Sequence, residues 1–329
     1  MAETLSNKYA NLKTQNIYQY LRAIYGKRVL AGQCTDYGNN TETDALYKGL
    51  GKYPAVRTFD FIFDSPNMGF KNDRPAKDYD LAIEWSKDGG LVVYDWHWHS
   101  PCNGNDFNTD KTSFRLSNAV TDKDLAHMSL KEIKKLYKNG EITEEAYKLV
   151  SNIDYISSLM QKLEDNNVTV LWRPLHEASG GWFWWGASGA EPYKKLYIHL
   201  YDRLTNYHKL NNIIWVWNGD SAEWYPGDEY VDIASTDIYA DEHEYTTQIN
   251  KFIAVGEAAG GKKPVALAEN GVQIDPDMTE RDNVYWLYFC TWGGDYCTTD
   301  MYTSDEMFDK VFNSEQVLTL DELPDWRKY

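Results

Sequence analysis

Apolar residues along this chain fall into two alternating patterns. Short, nearly continuous apolar runs occupy residues 29–33, 55–61, 91–98, 169–177, 213–218, 231–239, 264–271 and 288–294. Most are rich in Val, Ile and aromatic residues, as strands buried on both faces of a parallel sheet should be. Between most of them lie stretches with apolar residues at helical spacing: 16–25, 41–49, 79–87, 151–164, 192–208 and 245–259. In the fourth, Ile153, Ile156, Leu159, Met160 and Leu163 share one face. The second opens on a Thr cap candidate, and the third ends before Gly89-Gly90. Eight strand–helix alternations predict an α/β fold, a (β/α)8 TIM barrel, with residues 1–329 as a single domain. The widest gap, about 99–168, holds a polar loop at 102–112 and a helical pair at 122–138 and 143–165. It reads as an enlarged loop and helix between strands 3 and 4.

A barrel of this kind builds its active site at the C-terminal ends of its strands. The fourth run ends Arg173-Pro174-Leu175-His176-Glu177 and the seventh ends Ala268-Glu269-Asn270-Gly271. The third carries Asp95, His97 and His99 between Trp96 and Trp98; the second carries Arg57 and Asp60. The fifth gives Trp215, Trp217 and Asn218, the sixth Asp237 and Tyr239, and the eighth Trp292. A strand alternates faces with period two, so a regular fourth strand points Arg173, Leu175 and Glu177 together into the barrel. Asp95, His97 and His99 share a face by the same rule.

Charge narrows the partners. Lys and Arg number 33 against 50 Asp and Glu, a net charge of −17. Nucleic-acid binding needs a positive footprint, and an anionic membrane surface attracts basic segments, so neither is expected. No run approaches the ~18 apolar residues of a membrane helix, and residues 1–15 carry no apolar leader core. The chain is read as soluble as given, with a removed leader left open. Cys34, Cys102, Cys290 and Cys297 show no CxxC spacing. Cys290 and Cys297 stand near enough in sequence for a small-loop disulfide, though four cysteines allow three pairings. No glycine-rich nucleotide fingerprint follows a strand, so no cofactor is expected.

Aromatic residues make up 15% of the chain, an excess that calls for a reason beyond core filling. Paired carboxylates among indole and phenol rings suit glycoside cleavage. One carboxylic acid protonates the leaving oxygen while the other attacks the sugar or activates water. Sugar C–H faces stack on aromatic rings, and the segment Gly180-Gly181-Trp182-Phe183-Trp184-Trp185-Gly186 suits such a cleft. Taken singly, a strand-end Glu is more often a salt-bridge partner, and Trp182–Trp185 would more often be core. His97 and His99 form an HxH pair that a metal could use, with Asp60, His176 or Asp237 to complete it. No metal is expected, because such sites need further ligands from other strands. The joint pattern of two Glu on strands four and seven favours an enzyme.

These residues match a known family. Trp172-Arg-Pro-Leu-His-Glu-Ala-Ser-Gly-Gly-Trp-Phe-Trp-Trp-Gly186 resembles the acid/base signature of glycoside hydrolase family 26, closest to its endo-β-1,4-mannanases. Pro264-Val-Ala-Leu-Ala-Glu-Asn-Gly271 resembles its nucleophile strand. Tyr94-Asp-Trp-His-Trp98, Asp237-Ile-Tyr239 and Thr291-Trp292 resemble its sugar-contacting strand ends, and the likeness runs from Leu30-Ala-Gly-Gln33 to the last strand. The resemblance implies a retaining double displacement, with Glu177 as acid/base and Glu269 as nucleophile. It implies that Arg173 holds the carboxylates and that His176 touches sugar or nucleophile. His97, Trp182, Tyr239 and Trp292 would line the cleavage subsite, with Asp60 and Trp185 as further substrate contacts. Asn270 departs from the Thr that many members carry. A monomer acting outside the cytoplasm on β-mannan polysaccharide is the implied setting. Two alternatives stay open within the family, a β-1,3-1,4-glucanase and a β-1,3-xylanase; a third is a non-catalytic carbohydrate-binding barrel. The loop 100–118 is the candidate for closing one end of the cleft.

Overall fold

A computed structural model describes residues 4–68 and 77–326. Eight parallel strands close into a barrel in sequence order. They are β1 (Gly32–Cys34), β2 (Val56–Asp60), β3 (Leu91–Asp95), β4 (Val170–Arg173), β5 (Ile213–Trp217), β6 (Ile233–Ile238), β7 (Val265–Asn270) and β8 (Phe289–Thr291). Each falls within or across one of the apolar runs. The main helices are α1 (Leu12–Ile24), α2 (Thr41–Leu50), α3 (Asp78–Lys87), α4 (Leu130–Lys138), α5 (Glu144–Asp165), α6 (Ala190–Tyr201), α7 (Ile249–Ala258), α8 (Pro276–Asp282) and α9 (Asp305–Phe312). No helix among the described residues is long and apolar enough to cross a membrane.

Local chemistry sets these ends. Thr41 is the first residue of α2, not its cap, and Gly51 at φ +69° ends that helix, a conformation glycine adopts without steric cost. Ser129 and Glu132 form a reciprocal capping box on α4, and Thr143 caps α5 through the Ala146 N–H. Helix α7 begins at Ile249, later than apolar spacing predicts, because Gln248 takes φ +55°. The stretch 192–208 is α-helical only to Tyr201 and continues as a π-helical turn to Tyr207. The gap between β3 and β4 holds α4 and the 22-residue α5.

Two apolar layers hold the barrel. Inside it, Val56, Val93, Leu171, Ile214, Val216, Ile233, Ala266 and Cys290 pack with Ile17, Tyr18 and Leu21 of α1, so α1 closes the floor. Outside it, Phe59, Tyr94, Trp172, Trp215 and Leu267 meet the surrounding helices. All four cysteines are thiols, so the small-loop disulfide is absent: Cys290 lies in the interior beside Cys34, and Cys297 lies on the short helix Asp295–Thr298.

Candidate active site

Strand β4 stops at Arg173, where Pro174 removes a ladder donor. Leu175 and Glu177 then take positive φ, +54° and +52°. The period-two reading of 173–177 therefore fails. Leu175 turns into the helix-side core, and Glu177 reaches the rim at the start of a short 3₁₀ turn, Ala178–Gly180. Its own N–H donates to Asn218 Oδ1 at 3.1 Å. Between β6 and β7 the pairing slips: Thr236 faces Leu267, but Asp237 faces Glu269, so Ala268 is an extra residue. Such a bulge re-aims the side chains that follow it.

Arg173, wholly buried, is the hub. Its Nε and Nη2 donate to Asp95 at 2.8 and 2.7 Å, and Nη1 donates to Asp237 at 2.7 and 3.0 Å. Nη2 also donates to Glu269 Oε1, whose other oxygen accepts from the Tyr239 hydroxyl at 2.7 Å. Asn218 Nδ2 donates to Asp237 at 2.8 Å, so one circuit joins the Glu177 backbone to Glu269. An oxygen from each of Glu177, Asp237 and Glu269 lies within 4.8 Å of the others. Asp95, Asp237 and Asn218, to which the sequence gives strand-end places but no part in holding the two Glu, complete this network.

Burial and crowding set the charges. Burial raises Glu177, the Glu269 charge adds to it, and Trp182, Arg173 and His97 oppose it. Burial likewise pushes Asp237 well above the carboxylate range against the pull of Arg173. Asp95, under the same opposition, is pushed up to about 7.

The second polar chain begins at Asp60. One oxygen accepts the N–H groups of Ile62 and His97 at 2.8 and 3.0 Å; the other meets His97 Nδ1. Burial disfavours a charged His97, but Asp60 outweighs it and pushes His97 up to about 9. His97 Nε2 lies 3.3 Å from His176 Nε2. Burial, then the charges of His97 and Arg173, hold His176 well below its usual range. A protonated His97 therefore donates to a neutral His176. His176 is 1% exposed, so it stands behind His97 and has no open face for sugar.

The aromatic residues divide. Trp182 is 50% exposed and Tyr239 45% exposed, with Trp292 half-buried 6.5 Å from Tyr239. Trp185 is fully buried, and its Nε1 donates to the His176 carbonyl at 2.8 Å, so it braces the loop and does not meet substrate. Trp96, Trp98, Trp184 and Trp217 are also core. The HxH pair does not converge: His99 donates its N–H toward Ser65 Oγ and packs near Phe107. Among the described residues the grouping of possible metal ligands is Glu177, Asp237 and Glu269, two of which, Asp237 and Glu269, already pair with Arg173. Beside the carboxylates lies a cavity of about 570 Å³ lined by Tyr37, Asp60, Phe63, His97, Phe107 and Trp292. Phe107 belongs to the loop 100–118, which Thr109 N–H to Trp182 O (2.7 Å) and Trp184 N–H to Phe107 O (3.1 Å) tie to the Glu177 loop.

The chain is similar to proteins of known activity. It is 38% identical over 98% of its length to a mannan endo-1,4-beta-mannosidase of Thermothelomyces thermophilus, covering 64% of that protein. It is 37% identical over 98% of its length to mannan endo-1,4-beta-mannosidase A of a Piromyces species, covering 50% of it. The chain thus spans between half and two thirds of these relatives. The crystal structure of the Podospora anserina GH26-CBM35 β-(1,4)-mannanase matches 99% of the chain, covering 70% of its own, with a TM-score of 0.86 and 32% identity. A β-mannanase from a symbiotic protist of the termite Reticulitermes speratus, complexed with gluco-manno-oligosaccharide, matches 99% of both chains at TM-score 0.86 and 30% identity. The model of Glycosyl hydrolase family 26 matches residues 6–322, and the chain belongs to that family.

Proposed function

We propose that this chain is the catalytic domain of a retaining β-1,4-mannanase that cleaves mannan, glucomannan or galactomannan by double displacement. The carrying observation is the placement of Glu177 and Glu269 with carboxylate oxygens within 4.8 Å. Retaining pairs stand ~5–5.5 Å apart, whereas inverting pairs stand ~6.5–9.5 Å apart to admit a water. Burial and the neighbouring Glu269 charge raise the affinity of Glu177 for its proton, the direction a general acid needs. Glu269, gripped at both oxygens by Arg173 and Tyr239, is aimed as the nucleophile. Its conversion to a glycosyl ester removes a negative charge beside Glu177. The acid then becomes more acidic and serves as base toward water. Trp182, Tyr239 and Trp292 supply stacking surfaces, and His97 and Asp60 border the adjoining cavity.

The names of the relatives support mannan over other β-glycans. A polymer cannot cross a membrane, so the enzyme works outside the cytoplasm. The net charge of −17 suits a neutral substrate and would repel polyuronates. Reducing-sugar release from β-1,4-mannan, lichenan and β-1,3-xylan tests the reading, with mannan expected to lead. Release from lichenan or xylan alone overturns the specificity, and no release from any favours a binding protein. Glu269→Ala should lose turnover, and azide should then give a product of inverted stereochemistry.

A further inference from the structure

The indole of Trp182 makes one hydrogen bond that a sugar platform does not need. Its Nε1 donates to Glu177 Oε2 at 2.9 Å. The ring is held there by a close approach to Gly180. A Cβ built on Gly180 would lie 2.0 Å from Cη2 and Cζ3 of the indole and 2.4 Å from Cε3. The Trp182 carbonyl accepts from Thr109 N–H at 2.7 Å, so the backbone beneath the ring is fixed as well.

We propose that Trp182 is a positioning residue for the acid: its N–H, held on Oε2, makes Oε1 the oxygen from which Glu177 gives its proton. The inference rests on Glu177 being the acid/base. An indole N–H can only donate, and a carbonyl oxygen accepts better than a carboxylic hydroxyl. The favoured form of the acid therefore has Oε2 as carbonyl and the proton on Oε1. In the first displacement the electron pair of the C1–O bond stays with the leaving oxygen, which takes the Oε1 proton while a Glu269 oxygen bonds to C1. Glu177 emerges as a carboxylate, and its bond from Trp182 becomes charge-assisted and stronger. In the second displacement water gives a proton back to Glu177 as its oxygen replaces Glu269 on C1. The same indole thus stabilises the charge that Glu177 acquires at each turnover.

Two variants test this without touching Glu177. Trp182→Phe keeps an aromatic face and removes the donor. Gly180→Ala keeps the indole but displaces it, since the clash is with the mobile end of the ring. In both, the alkaline limb of the kcat/KM profile should move to higher pH, because the carboxylate loses a donor that favours it. On β-1,4-mannan kcat should fall about tenfold, the worth of one strengthened hydrogen bond. With 2,4-dinitrophenyl β-mannobioside, whose leaving group departs without a proton, the fall should stay under about threefold. An unmoved alkaline limb in both variants, with only KM raised, reduces Trp182 to a platform and overturns the proposal. Should Trp182→Phe not fold, Gly180→Ala decides alone. Failure of the unaltered protein to cleave either substrate counts against the mannanase reading instead.

Discussion

Asp60 decides the charge of His97, whose Nε2 lies against that of His176. The unfolded chain binds this histidine's proton with a pKa near 6.5, the folded one with a pKa of about 9. The fold therefore binds the proton more tightly. Its contribution to stability is full below 6.5 and is lost as pH rises through about 9. The difference corresponds to about 3 kcal/mol. Asp60→Asn should keep the acceptor for the Ile62 and His97 N–H groups yet abolish this dependence. Thermal unfolding at pH 6 and pH 9.5 checks it: the unaltered protein should lose clearly more stability over that interval than the variant. Equal losses would remove Asp60 as the cause. At this scale residue types were legible in the sequence, since Glu177, Glu269, Arg173, Tyr239 and His97 all meet at one rim. Orientation was not. Nothing in a Leu or Glu announces a positive φ, and Trp185 differs from Trp182 only in which side of the loop it turns toward.

Elements behaved as hydrophobic periodicity predicts wherever the backbone stayed regular. Every apolar run yields a barrel strand, because burial on both faces demands continuous apolar sequence. The runs overshoot where the chain bends at the rim, at 174–177 and at 96–98. The loop after β4 shows what the bend requires. A Cβ on Gly186 would lie 2.0 Å from the Ala178 carbonyl oxygen, which is backbone and cannot step aside. Gly186→Ala should therefore cost about 1–3 kcal/mol by overpacking. It should also shift the turn that carries Glu177, lowering kcat/KM on mannan by more than about tenfold. Chemical denaturation and initial rates on the folded variant measure the two effects separately. A stable variant with full activity would show that the loop accommodates the methyl elsewhere.

The whole molecule depends on the join between its first and last strands. Gln33 pairs in register with Thr291, and its Nε2 donates to the carbonyls of Cys34 and Thr291 at 2.7 and 2.9 Å. Gly32 leaves no room there: a Cβ would lie 2.2 Å from the Phe289 carbonyl oxygen and 2.5 Å from Cys290 Sγ. Gly32→Ala should lower the unfolding midpoint more than Gly186→Ala does, because it obstructs closure of the barrel and not one loop. A midpoint unchanged in denaturant would mean that the seam is slack. Composition alone could not divide the aromatic surplus, because fully buried Trp96, Trp98, Trp184 and Trp217 brace the same rim from which Trp182 and Tyr239 emerge.

The floor has a consequence for how this barrel can be attached to anything else. Ser6 donates to Asp232, and Asn11 N–H to the Asn211 carbonyl, both just ahead of barrel strands at the floor. At the other end Trp326 Nε1 donates to the Gly89 carbonyl, ahead of β3, and its ring meets Tyr20 of α1 at 5.2 Å. Both ends of the described chain are therefore moored on the face opposite the catalytic rim. A module, tag or solid support joined at either end would hold the barrel by its back, with the rim that carries Glu177 and Glu269 turned outward.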